Sequence, residues 1–233
     1  MKLVDKYKMY LGKLWANFGR RERAVNLADK YETYRRVSKE LSEEIMDTCL
    51  DSNALPSAGR LLDIVRGKTF IFDSESDTFA LADLALHEHR AGNKTAVELY
   101  RGRTKWKNEI EKEIVDAFLS SYTSLFKVVA VSKRESTIIL SDILNQSDDI
   151  RLIDIGFSGT ASPGMLMFSR VVPFKDFCMT SGISFVFPGD LEDYLLKEYK
   201  KLSVKVNSPS DSVRRFVSFF KLNRRKGIEM RYE

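Results

Sequence analysis

Apolar residues recur at intervals of three and four over residues 3–18, where Leu3, Val4, Tyr7, Tyr10, Leu11, Leu14, Trp15 and Phe18 share one side and Lys2, Lys6, Lys13 and Asn17 the other. That period predicts an amphipathic helix, stopped at Gly19-Arg20-Arg21. A second helix is predicted over residues 22–50, with Leu27, Tyr31, Tyr34, Leu41, Ile45 and Cys49 as its inner face. Residues 53–56 break it. Pro56, tolerated in a first turn, opens a short third helix carrying Leu61, Leu62 and Val65, which Gly67 ends. The run Thr69-Phe70-Ile71-Phe72-Asp73 then suits a strand, and Asp73, Ser74, Ser76 and Asp77 supply caps for a helix over residues 77–91. Two more helices are expected over residues 95–102 and 107–121, the latter with Ile110, Ile114, Val115, Phe118 and Leu119 on one side.

After Ser124 the period changes. Residues 124–133, 136–142, 150–157, 164–172, 177–180 and 183–187 are short runs rich in branched and aromatic residues, separated by turn material that includes Ser162-Pro163-Gly164 and Ser181-Gly182. Closely spaced strands without intervening helices predict an antiparallel meander, which protects its edges by curling into a small barrel or by packing on the helices. Gly189-Asp190 starts a helix to about Leu202, and Ser208-Pro209-Ser210-Asp211 starts another carrying Val213, Phe216, Val217 and Phe220. The expected class is α+β: an N-terminal helical region (1–66), a mixed, mostly helical segment (67–122), a small antiparallel β-barrel or curled sheet (123–188), and C-terminal helices with a basic tail (189–233).

Within the β segment, Ser124-Leu125-Phe126-Lys127-Val128-Val129, Ser141-Asp142-Ile143-Leu144-Asn145, Pro163-Gly164-Met165-Leu166-Met167-Phe168-Ser169-Arg170-Val171-Val172-Pro173 and Met179-Thr180-Ser181-Gly182 resemble a module of uncharacterised bacterial proteins. Its pattern reads S-L-F-x-V, D-L-L-x-G, P-G-x-L-L-x-x-R and L-S-G-G. Phe70-Ile71-Phe72-Asp73 and residues 92–100 resemble the stretch that precedes that module, so the resemblance spans residues 68–190. Some of those proteins also carry a cysteine-rich SEC-C metal-binding motif, whose cysteines this chain lacks. The resemblance implies a fold and no known activity.

Composition narrows the classes. The chain has 233 residues, is 43% apolar and 30% charged, and contains two cysteines, Cys49 and Cys178. It is too apolar for a disordered chain, has no apolar run near the length of about 20 residues that a membrane span needs, and opens without the pattern of a secretory signal. Two distant cysteines make no disulfide framework, so a reducing, cytoplasmic setting is expected.

The net charge of +5 is uneven: residues 1–40 carry +6, residues 197–233 carry +7 and the middle carries −8. Either the basic ends fold onto the acidic middle, or they face an anionic partner. Under the second reading Arg20, Arg21, Arg23, Arg35, Arg36, Lys200, Lys201, Arg214, Arg215, Arg224, Arg225 and Lys226 are the candidate nucleic-acid contacts.

Other chemistry is thin. His87-Glu88-His89 falls on a predicted helix, where positions two apart diverge by about 200°. Asp73, Glu75 and Asp77 offer carboxylates for a divalent metal, but their spacing equally fits helix capping. Gly156-Phe157-Ser158-Gly159-Thr160 lacks the G-x-S-x-G pattern and reads as a turn. No phosphate-binding glycine loop occurs, and no catalytic residue, metal or cofactor is expected. The expectation is a non-enzymatic binding protein contacting nucleic acid or a nucleoprotein assembly. The alternatives are a protein–protein scaffold or subunit of a larger complex, and a metal-dependent hydrolase using Asp73, Glu75 and Asp77. A membrane partner is not expected.

Overall fold

A computed structural model describes residues 21–102 and 105–228, with side chains from residue 27 onward; the predicted helix at 3–18 lies outside these residues. Helix α1 (Arg21–Cys49) buries Tyr31, Tyr34, Leu41, Ile45 and Cys49, which is the face its period implies. Helix α2 (Ala54–Leu62) holds Pro56 in its first turn. A hairpin of two-residue strands, β1 (Val65–Arg66) and β2 (Thr69–Phe70), turns at Gly67, whose φ of 62° suits glycine. The strand expected over residues 69–73 ends after Phe70, and Ile71 and Phe72 are exposed instead of buried.

Helix α3 (Glu75–His87) starts at an Asp77 carboxylate turned back to accept the Asp73 backbone N–H at 2.8 Å. It stops four residues short of the predicted end, because Arg90–Ala91 (β3) and Lys94–Thr95 (β4) form a second small hairpin across Gly92, at φ 66°. Helices α4 (Ala96–Arg101) and α5 (Glu109–Leu119) follow. A Thr95–Glu98 capping box opens the first, and the Asn108 side chain caps the second.

Five strands form the central sheet: β5 (Tyr122–Ser132), β6 (Thr137–Asp142), β7 (Ile150–Ile153), β8 (Leu166–Pro173) and β9 (Cys178–Phe187). They close in the order β5-β6-β7-β9-β8, with β8 returning to pair with β5. Closure therefore differs from the expected antiparallel meander: β7 and β9 run parallel, meeting at Leu152 and Cys178. This five-stranded Greek-key connectivity, first-second-third-fifth-fourth, is that of the OB-fold.

Two further expectations change. Residues 177–187 form one strand and not two, since Gly182, at φ 118°, is a bulge within β9 and not a turn. Residues 155–160 form a short helix, α6 (Ile155–Thr160), capped by the Asp154 carboxylate, where a strand and a turn were expected. Its Phe157 and Ala161 close one end of the sheet over Phe126, Val128, Leu140 and Met167, and that burial decides the conformation against the apolar pattern.

Helices cover the outside unevenly. Helix α2, helix α3, α7 (Glu192–Ser203) and α8 (Asp211–Lys226) pack on β5, β8 and β9 around Phe168, Phe185, Phe187, Phe216, Phe219 and Phe220. Helices α1, α4 and α5 pack on the far ends of β8 and β9, around Val172, Phe177 and Met179.

Candidate nucleic-acid interface

The candidate contacts separate into charges used inside the molecule and charges left facing water. Arg20 lies outside the described residues, and Arg21 and Arg23 sit on the first turn of α1. Arg35 donates to the Thr180 carbonyl at 2.7 Å, crossing from α1 to β9, and Arg36 pairs with Glu40 at 3.0 Å on its own helix. Arg214 pairs with Asp211 and donates to the Ser208 carbonyl at 2.7 Å. Arg215 donates to the Thr123 carbonyl at 2.5 Å. Arg224 pairs with Asp73 and lies 5.7 Å from the centre of the Phe220 ring.

Apart from Arg36, which is exposed on α1, what remains outward is one region. Lys200, Lys201, Arg225 and Lys226 are exposed on α7 and α8, two helices held together by Tyr199 stacked on Phe219 at 5.2 Å. Lys197 is exposed on α7 and Lys205 on the connection to α8, and Lys221, half-buried, lies one turn before Arg225. Sequence reading passed over these three; their signal was the i, i+4 spacing of Lys197 with Lys201 and of Lys221 with Arg225. Glu198 lies among them. A hydrogen bond from Lys201, with the charges of Lys197 and Arg225 behind it, holds its carboxyl below the usual range. Residues 192–226 carry ten basic and four acidic side chains, and Lys127 takes up Glu192 at 2.8 Å.

The competing chemistries are differently placed. The Asp77 side chain is buried against the end of α3, which pushes its carboxyl up, and Asp73 is engaged by Arg224. Among the described residues no group of three His, Cys, Asp or Glu could hold a metal ion. His87 is the last residue of α3, half-buried and edge-on to Phe118 at 5.5 Å, while His89 leaves the helix and reaches Asp51 at 3.2 Å. Ser158, 1% exposed, donates to the Ile155 carbonyl inside α6. Burial pushes the Cys178 thiol up to about 11.

The loop between β8 and β9, a ligand-contacting loop in OB-folds, is covered by α1. Tyr34 meets Phe174 and Phe177 at 5.0 and 5.9 Å, and Lys30 pairs with Asp176 at 3.5 Å.

The residues that carry the family resemblance also turn inward. At the β9 bulge, Arg170 donates to Asp83 at 2.9 Å and to Glu88 at 2.7 Å. Ser181 donates to Asp83 at 2.6 Å, and Ser212 of α8 to Glu88 at 2.6 Å. Burial pushes Asp83 up, but the charges of Arg170 and His87 and the hydrogen bonds from Ser181 and Arg170 together hold the carboxyl below its ordinary value. One buried ionic cluster thus ties α3, the sheet and α8 together. Ser124 donates to Asp142 at 2.5 Å, and the same carboxylate accepts from the Leu144 and Asn145 backbones, fixing the turn after β6.

Comparison with known proteins gives one match: the model of a family of unknown function covers residues 25–233. No curated protein and no solved structure matches the chain.

Proposed function

The chain belongs to the family of unknown function DUF7986, so its role has to be read from its own surface, and we propose a non-enzymatic binding protein that contacts nucleic acid, or a nucleoprotein assembly, through helices α7 and α8. One observation carries this reading. Lys197, Lys200, Lys201, Arg225 and Lys226 are exposed on a single helix pair, whereas on α1 Arg35 is engaged by the Thr180 carbonyl and Arg36 is exposed beside Glu40 of its own helix. A patch of that kind attracts phosphates and releases their counterions on binding.

A gel shift of the full chain with labelled DNA and RNA across a salt series tests it. Complexes that form at about 50 mM salt and weaken steeply toward about 200 mM are expected; no shift at the lower salt refutes the reading.

A second reading, a protein–protein scaffold, is favoured by Ile71, Phe72 and Phe79, which are 48%, 43% and 55% exposed within nine residues of chain. Isolated apolar side chains are common on surfaces, but three so close together mark contact sites more often. Co-purification with a partner that survives high salt and is lost in Phe79→Asp would support it. The hydrolase reading has the weakest basis, since Asp73 and Asp77 act as ion-pair partner and helix cap.

A further inference from the structure

We infer that the exposed rings at the start of α3 receive residues 3–18 of a second copy of this chain; this rests on the protein-contact reading above and names its partner. The receiving surface is preformed. Phe72 lies parallel to Phe70 with ring centres 6.0 Å apart, and Phe70 packs in turn against the core. The Ile71 N–H donates to the Ile64 carbonyl at 2.8 Å and the Asp73 N–H to the Asp77 carboxylate at 2.8 Å, so the backbone that carries the apolar side chains is held from both sides. Phe79 follows on the first turns of α3, with Glu75 exposed one turn before it. Arg224 engages Asp73 and lies 3.8 Å from Asp77, and Glu75 has no ion-pair partner among the described residues.

The complementary element is in the same sequence. Residues 3–18 put eight apolar side chains on one side at helical spacing, and at about 100° per residue Lys6 and Lys8 fall on the two flanks of that side. A helix of that length is marginal in water unless its apolar side is buried, and lysines along both edges suit rings bordered by a free carboxylate. The direction of α1 decides which copy supplies it. The first turns of α1 belong with Phe177 at the far ends of β8 and β9, where Lys30 meets Asp176. Its last turn, about 40 Å away, is the part that approaches α3, since Asp51 just beyond it reaches His89. The patch lies in the other group of helices, with Phe70 against Gly59 of α2 and Arg224 of α8 on Asp73. Residues 3–18 thus join α1 at the end remote from α3, and two copies can fill each other's patches in one two-fold contact. Filled on both sides, it buries on the order of 1,000 Å², the low end for a specific pair.

Light scattering of the full chain over a dilution series tests this. Twice the chain mass is expected at high concentration, giving way to one chain mass on dilution. Phe72→Ser with Phe79→Asp on the patch, or Leu11→Asp with Trp15→Asp on the segment, should each raise the dissociation constant by at least about 30-fold, and an unchanged circular dichroism spectrum shows that each variant is folded. Mixing the two variants restores one of the two contacts, so a mixed dimer should form where neither variant dimerises alone. In Lys8→Cys with Thr78→Cys, a short bis-maleimide should join two chains; a link formed within one chain instead overturns the inference. One chain mass at every concentration, or a patch variant that still dimerises, overturns it as well. If such a chain holds another protein and loses it in Phe79→Asp, the protein-contact reading stands; a patch variant that matches the wild type in both self-association and partner binding overturns the two together.

Discussion

Replacing Arg170 by alanine removes the cation that two buried carboxylates share. The Arg170 side chain is 3% exposed, that of Asp83 5% and that of Glu88 11%, so water cannot take the place of the guanidinium. Ser181 and Ser212 still donate one hydrogen bond to each carboxylate, but a hydroxyl supplies no charge. Breaking a buried pair from one side costs about 3–5 kcal/mol, a large part of the total stability of about 5–15 kcal/mol expected for a domain. Urea denaturation at pH 7, followed by tryptophan fluorescence, reads the loss directly.

The pH dependence gives the mechanism a second handle. In the native protein Asp83 has a lowered carboxyl pKa, so its contribution is present above the unfolded value and persists well into acid. In the variant, burial without a cation raises the Asp83 carboxyl above its unfolded value. Such groups oppose folding at neutral pH and cease to do so once protonated, so the deficit should shrink as pH falls from 7 toward 4.5. Arg170→Met combined with Asp83→Leu and Glu88→Gln removes the charges together and should lose less than Arg170→Ala. A loss below about 1 kcal/mol in Arg170→Ala, or a triple variant no better than the single one, would refute the reasoning.

Three more outcomes follow from the same geometry. Burial and the neighbouring Arg170 charge push His87 down to about 3; stability is then complete above the ordinary value of 6.5 and lost as pH falls below it. His87 should cost about 3 kcal/mol at pH 4.5, and thermal melts should show a smaller acid loss in His87→Leu. Gly182→Ala places a side chain at φ 118°, 3.4 Å from the Arg35 guanidinium, and is expected to cost about 1–3 kcal/mol in urea denaturation; an unchanged midpoint would mean that the bulge relaxes freely. Cys49 is buried and the Cys178 thiol is pushed up to about 11, so a chromogenic disulfide reagent at pH 8 should label native protein far more slowly than urea-unfolded protein, and rapid labelling of either thiol would contradict their placement.

The aromatic and aliphatic spacing along α1 determined its buried face before any tertiary contact was known. Tyr31, Tyr34, Leu41, Ile45 and Cys49 follow the period of a helix with one side against a core. The same holds for the existence of β5, β6 and β8, whose runs of branched residues need little context, and for the caps at Ser210 and Asp77. Periodicity reports neighbours up to four residues away, and these features depend on little else. The parallel closure of β7 on β9, the Phe157 plug and the Gly182 bulge depend on partners far along the chain. There, a local pattern of apolar residues is compatible with several pairings, and only packing selects one. Family-like residues such as Arg170 and Ser181 could be picked out from the sequence, but their task could not, because Asp83 and Glu88 lie more than eighty residues away. Charge behaves in the same way. Composition located a basic excess at the ends; folding assigned Arg35, Arg214, Arg215 and Arg224 to internal partners and left the lysines of α7, with Arg225 and Lys226, facing water. A charge acquires a role from what the fold brings within a few ångströms of it, and that distance is a property of the tertiary structure.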